Sequence, residues 1–282
     1  YDDDPDWRVY FGAIANLYHK HPVRIDIAGT CDTVNNTYKD MLELCYHTFY
    51  HPHNMMLFVV GNIQPEELMD VIKENQNKKH FLPETSIQRK KIEEPESVAV
   101  KEQIDIMQVE MNKLIVSIKV NDIMTNPQEK IKRELSFNLL FDLYFSKSSV
   151  LYNEWLSKGY INETFSANFT QERDYAFILI GGDQDDYHLL QKTIFDFIEH
   201  IDDLVIEQED FERIKRKTIG NFINSYNSPE SIANSFSRYY FEGICSFELV
   251  DYVSKITIAD LNEVKKYFNK EYASTYIVKK DK

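Results

Sequence analysis

The sequence predicts an α+β fold in two homologous halves, each a mostly antiparallel sheet packed with helices, the first of them incomplete. Three observations lead there. Apolar residues at helical spacing give way, along 282 residues, to short runs that alternate every second residue. A charged stretch, Gln88–Glu94, sits between Pro83 and Pro95 and reads as a linker. A plan of capped helix, loop and buried strand also occurs twice. The expected division is residues 1–82, a linker at 83–97, and residues 98–282.

Taken in order, Asp4 can cap a helix that Pro5 begins, with Trp7, Tyr10, Phe11, Ile14, Leu17 and Tyr18 on one face. A second helix fits about Asn36–Tyr50, with Met41, Leu44, Cys45 and Phe49 as its buried stripe. Pro52 ends it by disfavouring a helical conformation at His51. Met55–Val60 is short and apolar, as a central strand is; Gly61 closes it, and a helix starts at Pro65. Beyond the linker, Val98–Ile106 and Leu114–Val120 alternate as half-buried strands. Asn126, Pro127 and Glu129 open a helix that runs to about Phe145. Strands follow at Ile161–Thr170 and Tyr175–Ile180, the second ended by Gly181-Gly182. Helices are expected at about Asp186–Ile201, Glu207–Ser225, Ser228–Phe241 and Ile258–Phe268, and a last strand at Thr275–Lys279.

The repeat pairs Thr37, Asp40, Met41, Leu44, Leu57 and Phe58 with Thr257, Asp260, Leu261, Val264, Ile277 and Val278, a shift of about 220 positions in unbroken register. Upstream, Tyr1 and Pro5 match Tyr226 and Pro229. The second copy, with its leading helix, follows about 130 residues of strands and helices, and the first copy has nothing of that kind before it. Residues 1–82 therefore correspond to the last part of a unit.

Composition narrows the function. Net charge is −14, which repels phosphate backbones and anionic lipid, so neither nucleic acid nor membrane is an expected partner. No run approaches the ~18 apolar residues of a membrane span. Cys31, Cys45 and Cys245 are odd in number and far apart, which suits a reducing compartment, and a cytoplasmic location is expected.

Candidate chemistry is sparse. His47 and His51 stand four apart on a predicted helix, with His53, His19 and His21 nearby, a spacing that can chelate zinc. No acidic residue lies between them, so they read as polar groups at a helix end. Asp2–Asp4, and Asp183, Asp185 and Asp186, read as favourable charge at helix N-termini. Cys45, Trp155, Tyr239, Tyr240 and Phe241 are expected in the core. No catalytic residue and no metal ligand is assigned.

Several stretches carry a resemblance: Asp4-Pro5-Asp6-Trp7-Arg8, His21–Thr30 (HPVRIDIAGT), Phe49–Pro52 with Asn54-Met55, and Val59–Gly61; later, Gly159–Ser166 (GYINETFS) and Gly181–Asp183. Together they resemble the M16, insulinase-like zinc peptidases, and among these a bacterial processing-protease-like branch. The resemblance implies two homologous α+β domains per protomer, and two such units closing around an unfolded peptide. It implies zinc held by an inverted His-x-x-Glu-His helix and a distant glutamate, with the zinc activating a water. Neither element is in this chain; both are expected ahead of Tyr1, and the repeat offers Phe222 at the glutamate's position. The chain alone is therefore expected to hold no zinc and to cleave no peptide. Many members also carry an arginine and, seven residues on, a tyrosine that contact the substrate backbone. Those places fall on Trp155 and Asn162. The family's zinc subunits that lack this pair work beside a partner supplying it, which implies a heterodimer with a second M16-like subunit. Two alternatives are a non-catalytic M16-like subunit that binds peptide, and a scaffold or maturation factor.

Overall fold

A computed structural model describes residues 3–81, 83 and 86–281. Tyr1, of the match with Tyr226, and Asp2, of the Asp2–Asp4 run, lie outside the described residues, as do Leu82, Glu84 and Thr85 around the expected linker. In chain order the helices are α1 (Pro5–Leu17), α2 (Cys31–Asn35), α3 (Lys39–Phe49), α4 (Pro65–Asn77), α5 (Pro127–Phe145), α6 (Val150–Ser157), α7 (Tyr187–His200), α8 (Gln208–Ser225), α9 (Pro229–Phe241), α10 (Leu249–Lys255) and α11 (Ile258–Lys265). The strands are β1 (Glu102–Met107), β2 (Lys113–Lys119), β3 (Ser166–Gln171), β4 (Ala176–Asp183) and β5 (Ala273–Lys280). The α+β class is as expected. The chain divides into two compact units, Tyr1–Ala28 with Ile92–Asn221 and Leu249–Lys282, and Gly29–Lys91 with Phe222–Glu248.

The first unit is built on one sheet in the order β1-β5-β2-β4-β3, parallel only between β1 and β5. Both faces of its central strands are covered, which is why Ile178, Ile277 and Val278 are fully buried. On one face lies α1. Asp4 caps it as predicted, accepting from the amides of Asp6 and Trp7. The helix buries Val9, Ala13, Ile14, Leu17 and Tyr18 against Phe177, Leu179, Tyr276 and Val278. Gly12 allows the approach: a Cβ there would fall 2.2 Å from the Tyr276 ring. The Tyr18 hydroxyl donates to the Ala176 carbonyl at 3.0 Å, and the Ser117 hydroxyl to the Ala13 carbonyl at 3.2 Å. So α1, grouped in sequence with the first half, packs on the sheet of the second. The other face carries α5, where Phe137 stacks on Phe169 of β3 with centroids 4.0 Å apart.

Glu94, the last residue of the charged stretch expected as a linker, holds the segment after α1 to the sheet. Its carboxylate accepts from the amides of His19 (2.6 Å), Lys20 (2.8 Å) and His21 (2.8 Å) and from the Lys119 ammonium (3.0 Å). Lys119 also donates to the carbonyls of Pro95 and Ser97, and its side chain is 2% exposed. Burial pushes the Glu94 carboxyl up, but donation from the His19 amide, then Lys119, then the other amides outweighs it and holds it at about 2.

In the second unit the expectations for α3 and the strand after it are corrected. No residue of α2, α3 or α4 is buried. Leu44 is 68% exposed, and Met41, Phe49 and Cys45 are exposed as well. Met55–Val60 forms no strand among the described residues, and Leu57 is 68% exposed. The apolar pattern is real, but a strand needs neighbours to complete its hydrogen-bond ladder, and none of the described residues supplies one. Phe58 instead stacks on Phe236 of α9 at 4.2 Å. Tyr239 is buried as expected, whereas Tyr240 and Phe241 are exposed. The repeat differs in its caps too. Thr257 and Asp260 form a capping box on α11, but α3 starts at Tyr38 without a side-chain cap.

Candidate functional site

The first unit carries an open cleft of about 400 Å³ where α1 leaves the edge of the sheet uncovered. Asp6, Val9 and Tyr10 of α1 form one wall; Ser166 and Asn168 of β3 face them. The floor is Ile115, Leu179 and Gly181. The strand beside it, β3, is the edge strand of the sheet and, among the described residues, pairs only with β4. Its cleft-facing side chains, Ser166 and Asn168, alternate with Ala167 and Phe169 on the α5 side.

One end of the cleft is charged. Lys113 and Asp183 are cross-strand partners in the β2–β4 register, and their side chains meet at 3.1 Å. Lys113 also reaches Asp6 at 2.8 Å. Burial pulls the ammonium down, but hydrogen bonding to Asp6 and then to Asp183 prevails and raises it above its usual range. At neutral pH Lys113 is therefore a fixed cation. Asp183 was read from sequence as helix N-terminal charge; that role belongs to Asp186, which caps α7 through the Leu189 amide. Pairing with Lys113 could have been found by laying the two predicted strands antiparallel.

The two positions singled out by resemblance lie in different settings. Trp155 of α6 is 8% exposed and packs against Phe145, Phe165 and Phe197. Asn162 turns the chain into β3, its Oδ1 accepting from the Thr164 amide (2.8 Å) and hydroxyl (2.6 Å). Thr164 Oγ1 in turn accepts from the Asp183 amide at 2.7 Å. A continuous polar path thus runs from Asn162 to the Lys113 pair. Thr164 and Lys113 carry no sequence signature and were missed.

The histidines do not gather. His51 Nδ1 accepts from the His53 amide, its ring stacks on that of His53 at 5.1 Å, and His47 meets the Tyr46 ring. Among the described residues no group of three or more His, Cys, Asp or Glu could hold a metal ion. Zinc, which the resemblance implies, does not fit these residues, and no chemistry is derived through it. No helix among the described residues is long and apolar enough to cross a membrane.

The family of peptidase M16 inactive domains matches residues 37–218, well over half of the chain. The chain belongs to the M16 peptidase family. Among its M16 relatives are the uncharacterized zinc protease YmfH of Bacillus subtilis, 43% identical over 94% of this chain and 61% of that protein, and the zinc protease PqqE of Helicobacter pylori, 24% identical over 98% of this chain and 62% of that protein. This M16 chain thus spans about three fifths of the curated relatives it matches. A crystal structure of an M16-like peptidase from Alicyclobacillus acidocaldarius superposes on 99% of it and 67% of that chain, with a TM-score of 0.93 and 28% identity.

Proposed function

We propose that this chain is the C-terminal portion of an M16 zinc peptidase subunit and that its part is to hold an extended, unfolded peptide. The observation that carries this is the open edge of β3 beside the cleft. A peptide laid there extends the sheet by main-chain hydrogen bonds, a mode that reads extension rather than sequence. Metal and general base come from residues outside this chain, so it does not cleave peptide alone. The boundaries at 83–97 mark the passage between the two M16-type domains.

Trp155 is turned into the core and Asn162 holds a turn, so neither replaces the arginine and tyrosine that grip substrate backbone elsewhere in the family. A second M16-like subunit supplies that pair. The exposed apolar side chains of residues 38–71, from Tyr38 to Val71, suit burial against further polypeptide. Three free, exposed cysteines suit the cytoplasm.

The test is binding of a fluorescent, unstructured peptide, followed by anisotropy, against the same peptide N-methylated at alternate residues. Removing peptide donors weakens binding about tenfold or more, the loss of roughly one or two hydrogen bonds. No cleavage and no stoichiometric zinc are expected for the chain alone. Equal binding of both peptides sinks the edge-strand reading. One tightly held zinc per chain returns His47 and His51 to consideration.

A further inference from the structure

We infer that the cleft is a specificity pocket for a cationic side chain, arginine or lysine, of the bound peptide; this rests on the edge-strand reading above. Side chains of a strand added to β3 alternate between the two faces of the sheet, so every second one points toward the α1 face, where the cleft lies. Ser166 on β3 and Gly181 on β4 border the space it enters. The lining includes apolar side chains, from Val9, Tyr10, Ile115 and Leu179. They suit the methylene stem of a long side chain that keeps its head in water.

The head would meet Asp6 and Asp183. Both line the cleft, and among the described residues that line it Lys113 is the one cation to balance two carboxylates. One negative charge is left over. Each carboxylate has about four lone-pair sites, so a contact with Lys113 leaves acceptors for an incoming guanidinium or ammonium. Asp6 is 80% exposed and Asp183 22%, which places the first at the mouth and the second further in. An acidic peptide side chain would find one ammonium already shared between two carboxylates, and would be repelled.

The experiment uses the whole chain and three unstructured peptides that differ at one position: arginine, alanine or glutamate. That position is then walked along the peptide. Arginine is expected to bind about threefold to fivefold more tightly than alanine, and glutamate more weakly, as for a partly exposed ion pair. Only alternate positions should show the difference, and added salt should shrink it. Asp6→Lys, a change at an exposed site, should reverse the order of arginine and glutamate. Asp196→Lys, on the exposed side of α7, serves as the control and should leave the order alone. Equal binding of all three peptides overturns the pocket while leaving the edge-strand reading intact. If the order is there but survives Asp6→Lys, the pocket is overturned as well. If no peptide binds, both fall together.

Discussion

Lys119→Met is expected to lower the stability of the chain by about 3–5 kcal/mol, the cost of breaking a buried ion pair from one side. The reason is the company Lys119 keeps. Its ammonium, 2% exposed, meets Glu94 at 3.0 Å and two backbone carbonyls, and lies 4.9 Å from the centre of the Tyr18 ring. Methionine fills the stem's volume but leaves the Glu94 carboxylate, 14% exposed, with only amide donors. It also strands the carbonyls of Pro95 and Ser97. Urea unfolding reads the change as a lower midpoint at unchanged slope; an unchanged midpoint would contradict the clamp. The same group sets an acid limb. Glu94 is held at about 2 in the folded chain, against an ordinary value of 4.5. A depressed carboxyl contributes stability that is fully present above 4.5 and is lost as pH falls from there through 2, in all about 3 kcal/mol. Glu94→Gln should flatten that limb.

Gly181→Ala is expected to cost about 3 kcal/mol or more. A Cβ at this position would stand 2.0 Å from the Leu114 carbonyl oxygen and 2.9 Å from Ile115 Cα, both backbone. No rotamer relieves a clash with backbone, so β2 and β4 must part at the register pair Ile115↔Gly181. Gly220 in α8 is the matched control: a Cβ there meets nothing within 4 Å, and alanine should be neutral or stabilising by up to ~1 kcal/mol. Equal thermal midpoints for the two variants would show that the sheet yields at Gly181 more readily than the geometry allows.

Much of this was legible in the residues, and what was not has a common cause. Local signals held where local physics decides. Asp4 and Asn126 cap α1 and α5, Asp186 caps α7, alternation found β2, and the strand expected before Gly181-Gly182 matches β4 within a few residues. Short helices such as α6 and α10 were missed because eight and seven residues barely establish a period. Burial was misjudged where it depends on a partner element. Met41, Leu44 and Cys45 have the spacing of a buried stripe, but spacing says only that a face is apolar, not that something covers it. Glu94, read only as part of a charged linker, has three amides and Lys119 converging on it, partners that its sequence neighbours do not reveal. The cleft was out of reach for a different reason. It joins residues of α1, β2, β3 and β4 that only the topology brings together.

Ile277 and Val278 of β5 and their sequence counterparts Leu57 and Phe58 keep very different time. Flanked by β1 and β2, the amides of Tyr276–Val278 can trade deuterium only when the whole sheet opens. Those of Met56–Val60 have no ladder among the described residues and should exchange far sooner. A melting curve followed by a single probe therefore reports whichever clock that probe sits on, and one transition temperature will not describe this polypeptide.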